Sequence, residues 1–218
     1  MKDFGDAIIL CGGKSRRMGF DKALAKIDGR YVIEVMYDQL SRIFDSIKLS
    51  SVTRDRFGIF DIEVVEDLAL DVGNDIQKGG LGPSVAIYSS LVQASSKYVF
   101  FIAVDMPLLD IEYIKHMQSI VSETSPNILV PINSREGRDN KEPLYGFYSR
   151  DTINTFKENL QSGNYKMHDI LEKCSATYLG VDESRKFNKD LRMFINLNYP
   201  SDVVKLGGIS YDRYDYHS

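Results

Sequence analysis

Short apolar runs alternate with helix-like patterns along most of this sequence. The strand-like runs are AIILC (7–11), SIKLSS (46–51), DIEVVED (61–67), KYVFFIAVD (97–105) and NILVPI (127–132). Between them, residues 31–44, 84–95 and 110–122 repeat apolar side chains at the spacing that gives a helix one buried face. Strands that alternate with helices typically form a mostly parallel sheet covered on both faces. The pattern therefore predicts a three-layer α/β/α fold.

The rhythm changes after residue 133, where the polar run NSREGRDNKE predicts a loop. The later predicted elements are a strand at PLYGFYS (143–149), a helix at DTINTFKENLQS (151–162), a strand at MFINLN (193–198) and a helix from Pro200 to Leu206. Asp151 or Thr152 is the predicted cap of the first of these helices. No stretch has the composition of a linker, so we predict one domain over residues 1–206. Residues 207–218 form a polar, aromatic tail that is either loose or covers a sheet edge.

Composition excludes several classes of function. The chain has 218 residues, of which 43% are hydrophobic, and a formal net charge of −4, so we expect a buried core and no nucleic-acid partner. Two cysteines, Cys11 and Cys174, are too few for a disulfide framework or a zinc cluster. No apolar run reaches the roughly 18–20 residues of a membrane span, and MKDFGD does not read as a secretory signal. We therefore expect a cytoplasmic protein with no membrane partner.

One loop concentrates glycine and positive charge directly after the first predicted strand. Residues 10–22 read LCGGKSRRMGFDK, with three glycines, two arginines and two lysines. Glycines let successive backbone N–H groups point at one anion, and arginine and lysine add donors for phosphate oxygens. The spacing matches neither the P-loop GxxxxGK[ST] nor the dinucleotide fingerprint GxGxxG. The residues alone predict a dedicated anion site, with a charged surface loop as the alternative.

Polar side chains follow two other predicted strands. Asp105 ends KYVFFIAVD, and in parallel α/β sheets ligands bind at the carboxyl ends of strands. Its carboxylate is thus expected near the first loop, where it suits Mg²⁺ beside phosphates; the alternative is that it caps the helix after Pro107. Asn196 and Asn198 lie two apart on a predicted strand and share a face. They either contact a ligand or bond to nearby backbone.

The loop LCGGKSRRMGFDK resembles the LxGGxSxRMGxDK signature of the molybdenum cofactor guanylyltransferases (the MobA family). These are nucleotidyltransferases with a glycosyltransferase-A-like, Rossmann-like fold. Five further blocks resemble the family in the same order: VVEDLALD (64–71), LGPSVAI (81–87), FIAVDMPLL (101–109), EPLYGFYSR (142–150) and FINLNYPSDV (194–203). The resemblance covers nearly the whole chain and implies a single-domain, mostly parallel α/β/α sandwich. One departure is Ala86, which stands where the family's GPLAGI has its second glycine.

The resemblance also implies site residues. The implied nucleotide contacts are Leu10, Cys11, Gly12, Gly13, Lys22, Asp67, Gly82 and Asp105. The implied catalytic residues are Arg17, Lys22 and Asp105, with Asp105 as the metal ligand, and the implied pterin-side residues are Asn196 and Asn198. By position alone, Asp67 would be a turn residue.

The activity that the resemblance implies is transfer of GMP from GTP to the terminal phosphate of molybdopterin, with Mg²⁺ as cofactor and pyrophosphate as product. That phosphate is already anionic, so no protein base or nucleophile is needed. The resemblance further implies contacts with other cofactor-synthesis proteins and with molybdoenzymes. Two alternatives stay open: a related cytidylyl- or sugar-phosphate nucleotidyltransferase, and a non-catalytic protein that binds the nucleotide or the cofactor.

Overall fold

The computed structural model describes residues 3–12, 22–27, 29–72, 75–77, 81–135 and 138–197. The strands are β1 (Phe4–Leu10), β2 (Lys26–Ile27), β3 (Arg30–Tyr31), β4 (Ser46–Ser51), β5 (Val64–Glu66), β6 (Leu70–Val72), β7 (Asp75–Gln77), β8 (Tyr98–Ala103), β9 (Ile128–Arg135), β10 (Arg138–Lys141), β11 (Tyr145–Ser149) and β12 (Thr177–Leu179). The helices are α1 (Val32–Leu40), α2 (Pro83–Gln93), α3 (Ile111–Thr124), α4 (Ile153–Gln161), α5 (Met167–Lys173) and α6 (Val181–Arg185). Short 3₁₀ turns cover Lys22–Leu24, Asp55–Phe57, Arg150–Thr152 and Arg192–Phe194.

An eight-stranded sheet organises the fold. Its order is β10-β9-β11-β8-β1-β4-β5, and β12 also pairs with β9. Strands β1, β4, β5, β8, β9 and β12 run in one direction, whereas β10 and β11 run in the other. The hairpins β2–β3 and β6–β7 lie outside this sheet. The mostly parallel sheet predicted from the sequence is confirmed.

Apolar side chains bury both faces of the sheet. Along β1, Ala7 and Ile9 face one hydrophobic cluster and Ile8 and Leu10 the other, because successive side chains of a strand point to opposite faces. Helices α1 and α3 pack on the first face, and α2, α4 and α5 on the second. The structure therefore has the predicted three layers.

Local hydrogen bonds define the starts of α1 and α3, and a proline defines the start of α2. Glu34 accepts a bond from the Tyr31 N–H at 3.0 Å at the start of α1, and Asp110 accepts one from the Tyr113 N–H at 3.0 Å at the start of α3. Helix α2 begins on Pro83, whose fixed φ and missing N–H suit the first helical position. These features determine where the three helices that flank the sheet begin.

Two predictions about local structure are wrong. MFINLN is not a strand: a 3₁₀ turn covers Arg192–Phe194 and the following described residues are irregular. The segment is apolar because it covers the α1–α3 face of the sheet, where Met193, Phe194 and Leu197 are buried. The predicted polar loop after residue 133 instead contains β10, which pairs with β9. Thr152 is the N-cap residue of α4, one of the two predicted alternatives, although its side chain makes no capping bond. The Ser149 Oγ accepts the Asp151 N–H at 3.1 Å at the start of the preceding 3₁₀ turn.

Both cysteines are free and buried, as expected for small apolar residues. Burial raises the pKa of the Cys174 thiol to about 11. Among the helices in the described ranges, none has the length and apolar character needed to span a membrane. The predicted helix from Pro200 and the predicted tail over 207–218 lie outside the described residues.

Candidate active site

Three adjacent parallel strands end together at one edge of the sheet. In register, Leu10 of β1 lies opposite Ser50 of β4 and Ala103 of β8. The Cys11 N–H donates to the Ser50 carbonyl at 3.0 Å, and the Val104 N–H donates to the Leu10 carbonyl at 3.1 Å. The segments that follow β1, β4 and β8 therefore leave the sheet side by side, as ligand-binding loops of α/β folds do.

An ion pair joins the end of the first loop to the end of β8. The Lys22 Nζ lies 3.0 Å from the Asp105 Oδ2, and their side chains are 19% and 25% exposed. Lys22 opens a 3₁₀ turn that is anchored by the buried Ala23 and Ala25. The Val32 N–H donates to the Ala25 carbonyl at 2.8 Å, which ties the turn to α1. The structure thus brings together two predicted catalytic residues that are 83 positions apart in the sequence.

The segment containing Asn196 also reaches this edge. The Leu197 N–H donates to the Asp105 carbonyl at 2.7 Å, so Asn196 lies next to a residue bonded to the site. Its Oδ1 is buried and accepts no hydrogen bond from the described residues. Among the described residues, then, no backbone N–H donates to this oxygen, which is the bond that the alternative for Asn196 required.

The donors at this edge fit a hard metal ion bound together with phosphates. Asp105 does not cap α3, because Asp110 does, so its carboxylate has no structural task at a helix end. Mg²⁺ commonly takes one or two carboxylates and fills its other positions with water and phosphate oxygens. Within the described ranges, no group of three or more His, Cys, Asp or Glu side chains could hold a metal without such help. Asp105 is the residue that could ligate Mg²⁺, with the Asn196 Oδ1 as a further oxygen donor.

Asp67 lies at the same edge, one strand further out. It follows β5, is 7% exposed, and its N–H donates to the Ser51 carbonyl at the end of β4 at 3.2 Å. The next residue, Leu68, donates its N–H to the Ser89 Oγ of α2 at 2.8 Å. Asp67 is thus a buried carboxylate held between a sheet edge and a helix, rather than an exposed turn residue.

Gly82 gives α2 its starting geometry. Its φ of 105° and ψ of 179° belong to a region that side-chain-bearing residues rarely adopt. In the first turn of α2, the Ser84 Oγ donates to the Tyr165 carbonyl at 2.9 Å. This bond places the loop between α4 and α5 against the start of α2.

Leu10, Cys11 and Gly12 form the end of β1 and the first residues after it. Leu10 and Cys11 are buried and Gly12 is exposed, so the first two can offer a ligand only backbone groups. No described heavy atom lies within 4 Å of the place where a Cβ on Gly12 would be. The remaining predicted site residues, Gly13, Arg17 and Asn198, lie outside the described residues.

Arg56 is a residue at this edge that the sequence analysis did not identify. Its Nη1 donates to the Cys11 carbonyl at 2.7 Å. The only sequence signal is its place in the stretch SSVTRDRF, directly after a strand that neighbours β1. Without knowledge of how the loop after β4 folds back, an arginine there cannot be distinguished from a surface residue.

The sequence matches a known family and named relatives over most of its length. The family described as the MobA-like NTP transferase domain matches residues 7–177. The molybdenum cofactor guanylyltransferase of Syntrophotalea carbinolica is 35% identical over 202 residues, which cover 93% of this chain and 90% of that protein. A probable molybdenum cofactor guanylyltransferase of Peptoclostridium acidaminophilum is 33% identical over 214 residues, covering 97% of this chain and 92% of the relative.

A solved structure agrees in fold. The molybdopterin-guanine dinucleotide biosynthesis protein A from Archaeoglobus fulgidus superposes with a TM-score of 0.75 at 23% identity, covering 92% of this chain and 95% of that one. The match by sequence and the architecture of the sheet lead to one assignment: this chain belongs to the MobA-like NTP transferase family, a family of nucleotidyltransferases.

Proposed function

We propose that this protein transfers GMP from GTP to the terminal phosphate of molybdopterin, forming the guanine dinucleotide form of the cofactor and releasing pyrophosphate. The observation that carries the proposal is the meeting of Lys22 and Asp105 at the edge where the glycine-rich loop leaves β1. Such a pair suits a metal-bound triphosphate, because the lysine can bind phosphate oxygens and the carboxylate can bind the metal. The names of the two relatives supply the nucleotide and the acceptor.

In the proposed reaction an oxygen of the pterin phosphate forms a bond to the α-phosphorus of GTP. The bond between the α-phosphorus and the oxygen that bridges to the β-phosphorus breaks, and pyrophosphate leaves with the electron pair. The attacking oxygen carries negative charge at neutral pH, so the step needs positioning and charge neutralisation rather than a general base. Lys22 and, from the family signature, Arg17 hold phosphate oxygens. When bound, Mg²⁺ at Asp105 neutralises charge on the phosphates and on the leaving group.

The other residues at the edge position the two substrates. Backbone groups of Leu10, Cys11, Gly12 and Gly13 line the nucleotide. Asp67 offers a buried carboxylate to the base or ribose. Gly82 begins α2, the helix whose Ser89 accepts a bond from the residue after Asp67. The family resemblance assigns Asn196 and Asn198 to the pterin side. For Asn196 this role is supported by its buried Oδ1, which accepts no bond from the described residues.

The proposed activity implies that the protein works in a cytoplasmic pathway of cofactor synthesis. Molybdopterin comes from other cofactor-synthesis proteins, and the guanine dinucleotide product passes to molybdoenzymes. The two free, buried cysteines are consistent with a reducing compartment.

Turnover with purified substrates tests the proposal. The protein is incubated with molybdopterin, Mg²⁺ and each ribonucleoside triphosphate in turn, and released pyrophosphate is measured. We expect pyrophosphate with GTP and little with the others. Turnover with CTP alone would identify a cytidylyltransferase, and GTP binding without pyrophosphate release would identify a non-catalytic protein.

A further inference from the structure

We propose that Arg56 is a positioning residue of the nucleotide site, acting through the peptide unit between Cys11 and Gly12. The inference rests on the proposed function, because it assigns Gly12 to nucleotide binding. The Arg56 Nη1 donates to the Cys11 carbonyl at 2.7 Å, joining residues 45 positions apart. A charge-assisted bond of this length is stronger than a neutral one.

Cys11 is also held through its N–H, which belongs to the preceding peptide unit. The Cys11 N–H donates to the Ser50 carbonyl, so both polar groups of Cys11 bond on the β4 side of β1. On the other side, the Leu10 carbonyl accepts from the Val104 N–H. The end of β1 is therefore fixed from both of its neighbours.

Fixing the Cys11 carbonyl also fixes the Gly12 N–H. In a trans peptide the C=O and the following N–H point in opposite directions, and every peptide bond in the described ranges is trans. Because the Cys11 carbonyl points towards Arg56, the Gly12 N–H points towards the β8 side. That is the side from which Asp105 leaves the sheet, and no described residue accepts a bond from this N–H. The Gly12 N–H is therefore the first N–H of the glycine-rich loop that can donate to a bound nucleotide.

The guanidinium is itself held in place by an aromatic ring. The Arg56 Cζ lies 4.9 Å from the centre of the Phe57 ring, and Phe57 is 1% exposed within the α1–α3 hydrophobic cluster. A planar guanidinium can stack on a ring and donate in its own plane at the same time, which an ammonium cannot do. We call these two contacts, the Arg56 bond to the Cys11 carbonyl and the stacking of Arg56 on Phe57, the clamp. The clamp requires an arginine, and Phe57 anchors it to the hydrophobic core.

The Kd for Mg·GTP and the kcat together distinguish a residue that positions the nucleotide site from one that affects the protein as a whole. We expect Arg56→Met to raise the Kd for Mg·GTP about tenfold, the effect of losing roughly one charge-assisted hydrogen bond, with kcat at saturating GTP within about twofold. Arg56→Lys keeps one donor and loses the stacking, so its Kd should fall between those of the wild type and Arg56→Met. Arg54→Met is the matched control, because Arg54 is 67% exposed and its guanidinium lies 3.9 Å from Glu66; its Kd should be unchanged.

A second measurement tests the clamp without any nucleotide. Hydrogen–deuterium exchange of the segment containing Cys11 and Gly12 should be faster in Arg56→Met than in the wild type and unchanged in Arg54→Met. Unchanged exchange, or a wild-type Kd, in folded Arg56→Met would overturn the inference, as would an equal loss of affinity in Arg54→Met. If the wild type itself bound no GTP while exchange still responded to Arg56→Met, the proposed function would fail and the clamp would stand as a structural contact only, contrary to the role inferred here.

Discussion

The Lys22 ammonium and the Asp105 carboxylate form an ion pair of 3.0 Å that spans the end of the first loop and the end of β8. Both side chains are mostly removed from solvent, so their pairing offsets part of the cost of burying two charges. A metal-bound triphosphate offers a new partner to both, anionic oxygens to the lysine and a cation to the aspartate. The pair therefore links the two charges that the proposed reaction uses.

Replacing the carboxylate should stop turnover without unfolding the protein. Asp105→Asn preserves the size of the side chain but removes the charge that holds a divalent ion, so we expect kcat to fall on the order of 10³-fold. The thermal midpoint should change little, because the amide oxygen can still accept the bond from the Lys22 Nζ and because Asp105 caps no helix. Pyrophosphate release and thermal unfolding measure the two properties. Full metal-dependent activity in folded Asp105→Asn would exclude Asp105 as the metal ligand.

Removing the lysine charge should impair activity through phosphate binding. Lys22→Met is expected to lower kcat/KM on the order of 10²–10³-fold, the usual cost of one transition-state donor. Lys48→Met is a matched control, because Lys48 also pairs with a carboxylate, that of Glu63 at 2.9 Å, and its side chain is 18% exposed compared with 19% for Lys22. Lys48 lies in the middle of β4, opposite Ile8 of β1 and not at the end of the strand. Equal losses in the two variants would mean that a broken ion pair, rather than the site, lowers activity.

The contact between β11 and β9 should not tolerate a side chain at Gly146. A Cβ there would lie 2.5 Å from the Leu129 carbonyl oxygen and 2.6 Å from the Val130 Cγ1. Gly146→Ala should therefore reduce the free energy of unfolding by about 2–3 kcal/mol, measured by urea denaturation. Gly58→Ala is the control: Gly58 has φ −61° and the nearest atom to its added Cβ would be 3.6 Å away, so stability should be unchanged or slightly higher. An unchanged urea midpoint in Gly146→Ala would contradict the observed strand packing.

Asp6 should make stability depend on pH. Its buried carboxylate accepts the Ser95 N–H at 2.8 Å and the Ser96 N–H at 2.6 Å. Burial alone would raise its pKa, but the hydrogen bonds from Ser96 and Ser95 outweigh burial, so the pKa of Asp6 lies below its usual value. A lowered pKa means that the ionised form stabilises the fold at any pH above the ordinary pKa of about 4, and that this stabilisation is lost as the pH falls through the folded pKa.

The substitution Asp6→Asn isolates that contribution. We expect a loss of about 2–3 kcal/mol in unfolding free energy at pH 7, because an amide cannot satisfy all of the donors. The difference from the wild type should shrink as the pH is lowered below about 4. Asp139→Asn, at an exposed position of β10, should change stability by less than about 0.5 kcal/mol at either pH. A difference for Asp6→Asn that is independent of pH would show that the charge plays no part.

Apolar patterning predicted the elements whose burial decides their structure. AIILC and KYVFFIAVD are buried on both faces, and they form adjacent central strands. The hairpins β2–β3 and β6–β7 were not predicted. Their strands have only two or three residues each, which is too short to show the alternation of apolar and polar side chains that indicates a strand. MFINLN has the composition of a strand without being one, because a segment that covers a core is as apolar as a strand within it.

Site residues that directly follow parallel strands could be predicted from the sequence. The first loop and Asp105 follow parallel strands, and such strands end at one edge, so their proximity was expected. Arg56 could not be predicted in the same way. Its contact with Cys11 depends on the path of the irregular loop after β4, which composition does not define.

Tracing the α-phosphorus tests the central proposal most directly. Purified protein is incubated with molybdopterin, Mg²⁺ and GTP radiolabelled at either the α- or the γ-phosphorus, and the pterin product is separated from pyrophosphate. Our account predicts α-label in a pterin guanine dinucleotide and γ-label in pyrophosphate, with neither transfer in Asp105→Asn. Absence of α-label from the pterin product, or its transfer from labelled CTP and not from GTP, would contradict the account.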